Sequence, residues 1–283
     1  MLRQGGHEVV ALCRSAASAE AARRAGDVPA LGDLADAEAL GRLLLEHRPD
    51  AIVHLAAVIA TTRSAKTVDE VNRIGTERLV QAAERSGVRR FVFTSTVVTG
   101  DAQGALLTED APLPVNTPYG RAKQASEALL LGRAGAIEPV ILRPSHVYGP
   151  GGWFAGIVSD LRRGRFMTPG TGENLWDMVH VEDVGRALVL AATAPSPQSL
   201  YHVVDDTPVT MNAVVSAAAA ALGRPAPRHV PLWLARLVRG RNAIDAAARS
   251  ARSSNARLKT LGWMPAHPRS LDAIPDVVRS LAP

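Results

Sequence analysis

The sequence contains little cysteine, lysine or aromatic residue, and it has no long hydrophobic run. Its 283 residues include one cysteine, Cys13, which excludes an intrachain disulfide or a multi-cysteine zinc site and suits a reducing cytoplasm. No apolar run reaches the roughly 18 residues that a membrane helix needs, so we expect no membrane partner. Aromatic residues make up 4% of the chain, too few for a platform on which nucleic-acid bases stack. We also predict no metal site.

Positive charge is in excess, but it is dispersed. The formal net charge is +5, and of the 32 basic residues only Lys66, Lys123 and Lys259 are lysine, which leaves 29 arginines. The densest basic group is Arg162-Arg163 with Arg165. A scattered arginine surplus indicates a coding bias, so we expect no nucleic-acid partner.

Strands and helices alternate along the first 150 residues. The predicted strands are 8–13, 28–31, 51–56, 91–98 and 139–143, and the predicted helices are 16–25, 36–47, 68–86 and 118–134. This alternation is typical of βαβ units, and it predicts an α/β fold with a Rossmann-like, doubly wound parallel sheet. From residue 151 to 283 the elements shorten, which predicts a smaller substrate-binding lobe, with 175–205 returning to the sheet.

A tyrosine and a lysine lie four residues apart in the helix predicted at 118–134. Positions i and i+4 share one face of a helix, so Tyr119 and Lys123 are neighbours. An ammonium group beside a phenol favours the phenolate, which would let Tyr119 exchange a proton near neutral pH. The alternative is a solvated helical pair, and the scarcity of lysine in this chain weakens it.

Three consecutive hydroxyl residues follow a buried strand. They are Thr94, Ser95 and Thr96, and they precede Tyr119 by 23 to 25 positions. Doubly wound sheets bind ligands at the carboxyl ends of their parallel strands. A cap or turn is the alternative role for these hydroxyls.

At this point the chain resembles the extended short-chain dehydrogenase/reductase superfamily, in its NAD-dependent epimerase/dehydratase branch. The resemblance rests on the order and spacing of motifs over nearly the whole length. They are GDLAD at 32–36, HLAA at 54–57, VNRIGTERLVQAA at 71–83, FVFTST at 91–96, YGRAK at 119–123, LRPSHVYGPGG at 142–152, VHVEDVGRAL at 179–188, YHVVDD at 201–206 and LGWMP at 261–265.

The resemblance implies catalytic roles for the matching residues. Tyr119 is then the general acid/base of hydride transfer at a carbonyl or carbinol carbon. Lys123 lowers the pKa of Tyr119 and bonds the nicotinamide ribose. Asn72 matches an asparagine that orders a water near this lysine, with a polar surface position as its alternative.

The resemblance also implies a serine or threonine that holds the substrate oxygen, and two residues compete for this role. Counting forward from Phe91 assigns it to Thr96, whereas counting back from Gly100 assigns it to Ser95. We prefer Thr96, because the buried residues set the register of a strand.

Cofactor contacts follow from the same matches. The residues expected at the dinucleotide, besides Tyr119 and Lys123, are Arg14, Asp33, Leu34, Leu55, Ala56, Ala57, Pro144, His146 and Val147. Arg14 follows the 8–13 strand, where an acidic residue would bind the ribose of NAD and an arginine accommodates the 2′-phosphate of NADP. No acidic residue occurs at 13–16, so we expect NADP, with NAD as the alternative.

One motif of the resembled family is missing. Its first strand and glycine-rich phosphate loop precede the segment that begins at Leu2, and residues 1–30 contain no G-x-x-G-x-x-G. We therefore expect that about 20–25 further residues, a strand with its loop and most of a helix, lie upstream. The 1–150 domain is then a nucleotide-binding domain without its first βα unit.

Three functions remain open at this stage. The first is an NAD(P)-dependent oxidoreductase acting on a small ketone, aldehyde or alcohol. The second is a nucleotide-sugar 4-epimerase that recycles NAD, for which the arginines at 162–165 with Arg241 or Arg249 could bind a diphosphate. The third is a non-catalytic dinucleotide sensor. A homodimer through helices 68–86 and 118–134 is also possible.

Overall fold

The computed structural model describes residues 1–58 and 64–281. Its strands are β1 Val10–Cys13, β2 Val28–Leu31, β3 Ala51–His54, β4 Arg90–Thr94, β5 Leu106–Leu107, β6 Glu138–Pro144, β7 His146–Tyr148, β8 Thr168–Pro169, β9 Leu175–Trp176, β10 Met178–His180, β11 Leu200–Val203, β12 Val209–Thr210, β13 His229–Val230 and β14 Arg252–Ser253. Its α-helices are α1 Ala16–Ala25, α2 Ala37–His47, α3 Ala65–Asp69, α4 Gly75–Ser86, α5 Pro118–Leu131, α6 Gly152–Arg162, α7 Val181–Thr193, α8 Met211–Ala221, α9 Leu232–Arg239, α10 Arg241–Ala248, α11 Ala256–Thr260 and α12 Ser270–Ser280.

The N-terminal helices begin and end at capping residues. The side-chain oxygens of Ser15, Asp36 and Thr117 each accept a backbone N–H from the first turn of α1, α2 and α5. Gly26 and Gly87 end α1 and α4 with φ of +81° and +75°, a conformation that glycine adopts without strain. Local sequence therefore sets the helix ends that surround the sheet.

A four-stranded parallel sheet in the order β11-β6-β4-β3 forms the centre of the molecule. All four strands point the same way, so their carboxyl ends lie at one edge. Strands β1 and β2 pair in parallel with each other and form a separate two-stranded sheet. The parallel Rossmann-like architecture predicted from the sequence is thus confirmed.

Helices pack on both faces of the four-stranded sheet. Phe91 and Phe93 of β4 point into a core with α4 and α5, whereas Val92 points to the opposite face and packs with α7. This alternation is the normal pleat of a strand. A third core, centred on Phe154 and Trp176, joins α6, α8 and α12 in the C-terminal part of the chain.

Some predicted bounds are wrong. The 51–56 strand ends at His54 and the 91–98 strand ends at Thr94, because the segments after them leave the sheet and form loops. The 68–86 helix begins earlier, at Ala65, and contains a π-helical turn at Glu70–Ile74. Helix α5 ends at Leu131 rather than at residue 134.

Residues 249–253 form hydrogen bonds with the loop that follows β4. The Nε and Nη2 groups of Arg249 donate to the carbonyls of Gly100 at 3.0 Å and Val97 at 2.9 Å. Strand β14 pairs in parallel with β5, and the Ser250 N–H donates to the carboxylate of Asp101 at 2.9 Å. The 97–107 loop that follows β4 is therefore fixed by residues almost 150 positions later.

None of the helices among residues 1–58 and 64–281 is both long enough and apolar enough to cross a membrane.

Candidate active site

The expected site residues gather at the carboxyl edge of the sheet. Leu55 follows β3, Ser95 follows β4, and His146 comes two residues after the end of β6. The registers His54↔Phe93 and Thr94↔Leu142 set these strand ends side by side. The topology thus brings together segments that are 40 and 51 positions apart in sequence.

Helix α5 places Tyr119 and Lys123 beside the end of β4. Lys123 is 2% exposed, and its Nζ donates to the Thr94 carbonyl at 2.7 Å. The same Nζ lies 4.6 Å from the centre of the Phe93 ring and 5.8 Å from the centre of the Tyr119 ring. The predicted pair therefore shares one face of the helix, with the ammonium group against the sheet.

The pKa of the phenol differs from the expectation. Burial raises the pKa of Tyr119 to about 12, so Tyr119 holds its proton at neutral pH. Burial also lowers the pKa of Lys123 to about 8, although the nearby carboxylate of Glu127 opposes this shift. Within the protein alone, desolvation of the phenol outweighs the expected influence of Lys123. The prediction that Lys123 lowers the pKa of Tyr119 stays a prediction.

The two candidate hydroxyls have different environments. The Thr96 hydroxyl donates to the Pro144 carbonyl at 3.2 Å and accepts the Val98 N–H at 2.9 Å, so it stabilises the turn after β4. The Ser95 hydroxyl is buried and has no hydrogen-bond partner among the described residues. A buried hydroxyl without a partner carries a desolvation cost that a ligand atom could relieve.

Asn72 lies in the π-helical turn and is 1% exposed, so it is not a surface position. Its side-chain amide accepts the Val58 N–H at 2.8 Å and donates to the Val58 carbonyl at 2.9 Å. Its own backbone carbonyl accepts the hydroxyls of Thr76 at 2.7 Å and Ser126 at 3.0 Å. Asn72 therefore positions the loop after β3 against α5.

The expected cofactor residues divide into exposed and buried groups. The exposed ones are Arg14, Asp33, Leu55, Ala56 and Ala57, at the ends of β1, β2 and β3. Pro144 is buried, and His146 and Val147 are half-buried. The Leu34 side chain is 7% exposed and packs in the core beside α4, so only its backbone is available to a ligand.

A buried ion pair that the sequence reasoning missed ties α5 to the sheet. The guanidinium of Arg143 in β6 donates to both carboxylate oxygens of Glu127, at 2.9 Å and 2.5 Å. Such a bidentate pair fixes both side chains. The helical spacing held a signal for it, because Glu127 continues the i, i+4 series from Tyr119 and Lys123.

Four of the five arginines considered for a diphosphate have partners within the protein, and the exposed Arg163 has none among the described residues. Arg249 is 1% exposed and donates to backbone carbonyls of the 97–107 loop. Arg162 donates to the Leu281 carbonyl at 3.1 Å. Arg165 pairs with Asp160 and Arg241 with Asp245, both at 3.4 Å.

Three aromatic side chains meet beside the end of β6. The His146 ring stacks on Trp176 with 4.7 Å between centres, and the Trp153 ring packs edge-on against His146 with 6.0 Å between centres. Burial lowers the pKa of His146 to about 3, so this imidazole is neutral. The cluster is uncharged, and of its three side chains only Trp153 is exposed.

Comparison with known proteins places the chain in a family. Residues 1–204 match the model of the NAD dependent epimerase/dehydratase family. The chain is 31% identical over 288 residues to a 3-diazoavenalumate denitrifying reductase of a Streptomyces species, covering 96% of this chain and 93% of that protein. It is 32% identical over 253 residues to the UDP-glucose 4-epimerase of Mycolicibacterium smegmatis, covering 82% and 76%.

Solved structures agree with this placement. The UDP-glucose 4-epimerase of Thermus thermophilus in complex with NAD superposes with a TM-score of 0.81 at 27% identity, covering 99% of this chain and 93% of that one. The Thermotoga maritima UDP-glucose 4-epimerase with UDP-glucose gives a TM-score of 0.83 at 24% identity, covering 99% and 92%, and shows the shared fold.

The chain is therefore a member of the extended short-chain dehydrogenase/reductase class of enzymes. Within that class it belongs to the NAD dependent epimerase/dehydratase family. The expected family, fold class and enzymatic nature are confirmed, and the non-catalytic sensor is not supported.

Proposed function

We propose that this chain is an NADP-dependent oxidoreductase that transfers hydride between the nicotinamide and a small carbonyl or carbinol substrate. The observation that carries the proposal is the pair of Tyr119 and Lys123 on one face of α5, at the carboxyl end of β4. Such a pair can exchange a proton with the oxygen of a carbonyl group while the nicotinamide exchanges a hydride with its carbon.

Cofactor binding is assigned to the exposed strand ends. Ala56 and Ala57 present small side chains after β3, where a dinucleotide can approach the backbone, and Arg14 presents a cation after β1. The bound nicotinamide supplies the hydride. Arg14→Ala should raise the KM for NADPH about tenfold or more and leave that for NADH nearly unchanged. Equal changes in both KM values would refute the NADP assignment.

The protonation state of Tyr119 favours the reductive direction. With a pKa near 12, its phenol is a proton donor at pH 7. As hydride reaches the carbonyl carbon, the carbonyl oxygen gains the electron pair of the C=O bond and takes the phenol proton. The Ser95 hydroxyl, which has no partner among the described residues, is the better placed group to hold that oxygen.

A small substrate is favoured over a nucleotide sugar by the neutral aromatic cluster and by the four candidate arginines that already have partners, Arg162, Arg165, Arg241 and Arg249. Arg249 in particular is committed to two backbone carbonyls and is 1% exposed. The similarity to a reductase over 96% of the chain points the same way. The 97–98 positions after Thr96 are both valine, so the carboxylates that dehydration needs are absent there.

The test compares substrates and one tyrosine substitution. NADPH oxidation is followed at 340 nm with small ketones and aldehydes, and with UDP- and dTDP-sugars in parallel. Tyr119→Phe should lower kcat about 10²- to 10⁴-fold, the usual contribution of a general acid. Tyr201→Phe is the matched control, because the Tyr201 hydroxyl accepts the Gln198 N–H at 2.6 Å, away from α5. Unchanged activity of Tyr119→Phe would refute the catalytic role.

A nucleotide-sugar 4-epimerase is the second candidate, supported by the similarity to UDP-glucose 4-epimerases. In that case the purified protein would carry tightly bound NAD. It would interconvert a UDP-sugar without net oxidation or reduction of the cofactor, and that result would replace the first proposal.

A further inference from the structure

Two histidines and a glutamate meet on the side of the molecule formed by α7 and the loop before α12. The side-chain ligand atoms of His180, Glu182 and His267 all lie within 4.8 Å of one another. His267 Nε2 is 3.3 Å from a carboxylate oxygen of Glu182, and the centres of the two imidazole rings are 4.0 Å apart. None of these residues belongs to the candidate active site.

The backbone around this cluster is held firmly. The buried carboxylate of Asp183 accepts the N–H groups of Ala266 at 2.7 Å and His267 at 3.0 Å. The Asp183 carbonyl accepts the indole N–H of Trp263 at 3.0 Å. Asp183 thus locks the 263–267 loop to the start of α7, and the three side chains are brought together before any ligand arrives.

His180 is itself fixed by its surroundings. It is 5% exposed, and the Tyr148 ring packs edge-on against it with 5.2 Å between centres. Its Nδ1 accepts the Glu182 N–H at 3.3 Å, longer than the usual range for a strong bond, so a metal can compete for this lone pair.

The cluster opens into a cleft of about 520 Å³. Asp272 and Asp276 of α12 also line the cleft, where they pair with Arg269 at 2.8 Å and with Arg279. The amino end of α7 carries partial positive charge, which disfavours a cation. The carboxylates of Glu182 and Asp183 in its first turn offset that charge.

We propose that His180, Glu182 and His267 form a binding site for a divalent transition-metal ion of the Zn²⁺ type. Two imidazole nitrogens and one carboxylate oxygen are ligands that zinc accepts, with a water completing a tetrahedral set. Tetrahedral bonds of about 2.1 Å place ligand atoms roughly 3.4 Å apart, close to the 3.3 Å between His267 and Glu182. Imidazole nitrogens favour zinc over Mg²⁺ and Ca²⁺.

The proposal is tested by titrating tag-free protein with ZnCl₂ in a calorimeter, with MgCl₂ as a comparison. Wild-type protein should bind one Zn²⁺ per chain, and Mg²⁺ should not bind at the same concentrations. His267→Ala and Glu182→Gln should each weaken zinc binding at least about tenfold, the loss that even outer-shell substitutions cause in metal sites. Both side chains are partly exposed, so the variants should fold.

His229→Ala is the matched control, since His229 is exposed and contacts the Gly170 carbonyl in another part of the C-terminal lobe. It should bind zinc as wild type does. Co²⁺ bound to wild type should show a visible absorption band that is absent in His267→Ala. Failure of wild type to bind Zn²⁺, or equal affinities of wild type and His267→Ala, would overturn the site.

Discussion

Lys123, in the candidate active site, is buried at a cost in stability. Its ammonium group is buried, and among the described residues its hydrogen-bond partner is the Thr94 carbonyl; this burial lowers its pKa from 10.5 to about 8. Folding therefore works against the charged form of the side chain below pH 8. Catalytic residues commonly lower stability in this way.

We expect Lys123→Met to raise the free energy of unfolding by roughly 2 kcal/mol at pH 7 and to abolish activity. The folded pKa lies below the unfolded one, so the penalty in the wild type is full below pH 8 and disappears as the pH rises towards 10.5. Urea unfolding of both proteins at several pH values should show the difference between them shrinking over this interval. A Lys123→Met protein less stable than wild type at pH 7 would contradict the account.

Ser95 and Thr96 can be separated by one substitution each. Ser95→Ala removes a hydroxyl without a described partner, so stability should change by less than about 0.5 kcal/mol, while kcat should fall about 10²-fold. Thr96→Val breaks bonds to Pro144 and Val98, so it should cost about 1–3 kcal/mol of stability. Thermal unfolding and initial rates decide between them, and the reverse pattern would return the substrate-holding role to Thr96.

At the scale of elements, a buried ion pair between Glu127 and Arg143 joins helix α5, which carries Tyr119 and Lys123, to strand β6. Glu127→Gln leaves the Arg143 guanidinium buried without its anionic partner, and we expect a loss of about 3–5 kcal/mol. Adding Arg143→Met to that variant should restore much of the loss, because both buried charges are then gone. Denaturant unfolding measures this cycle, and a loss under 1 kcal/mol in the single variant would rule it out.

The elements show where sequence reasoning succeeds. The alternating pattern predicts the order of strands and helices, and the YGRAK spacing predicts that Tyr119 and Lys123 share one face of α5. The π-helical turn around Asn72 could not be predicted, because it depends on the hydroxyls of Thr76 and Ser126 reaching one carbonyl.

Side-chain contacts between residues far apart in sequence could not be predicted from the sequence either. His180 and His267 are separated by 87 positions, and no local spacing links them. Arg249 looked like a free cation for a phosphate, whereas the fold buries it against Val97 and Gly100. Tertiary packing decides which of these side chains meet, and a single sequence does not give the distances between them.

At the scale of the whole molecule, the strands of four or more residues in the described part of the chain fall into two parallel sheets. Strands β1 and β2 pair with each other, and β3 is an end strand of the four-stranded sheet. We expect the backbone amides of β1 and β2 to exchange hydrogen faster than those of the central strands β4 and β6, because few cross-strand bonds protect them. Mass spectrometry after deuterium exchange measures this, and equal protection of all six strands would contradict it.

The hydrogen bonds from Arg249 to the 97–107 loop affect how the chain folds during translation. During translation, β4 and α5 leave the ribosome early. The carbonyls of Val97 and Gly100 receive their hydrogen bonds only after Arg249, about 150 residues later, has been synthesised. Contacts this distant in sequence slow folding. Tyr119 and Lys123 would then leave the ribosome beside a loop that is still unformed, so the new enzyme should become active only after Arg249 has been synthesised and has folded against that loop.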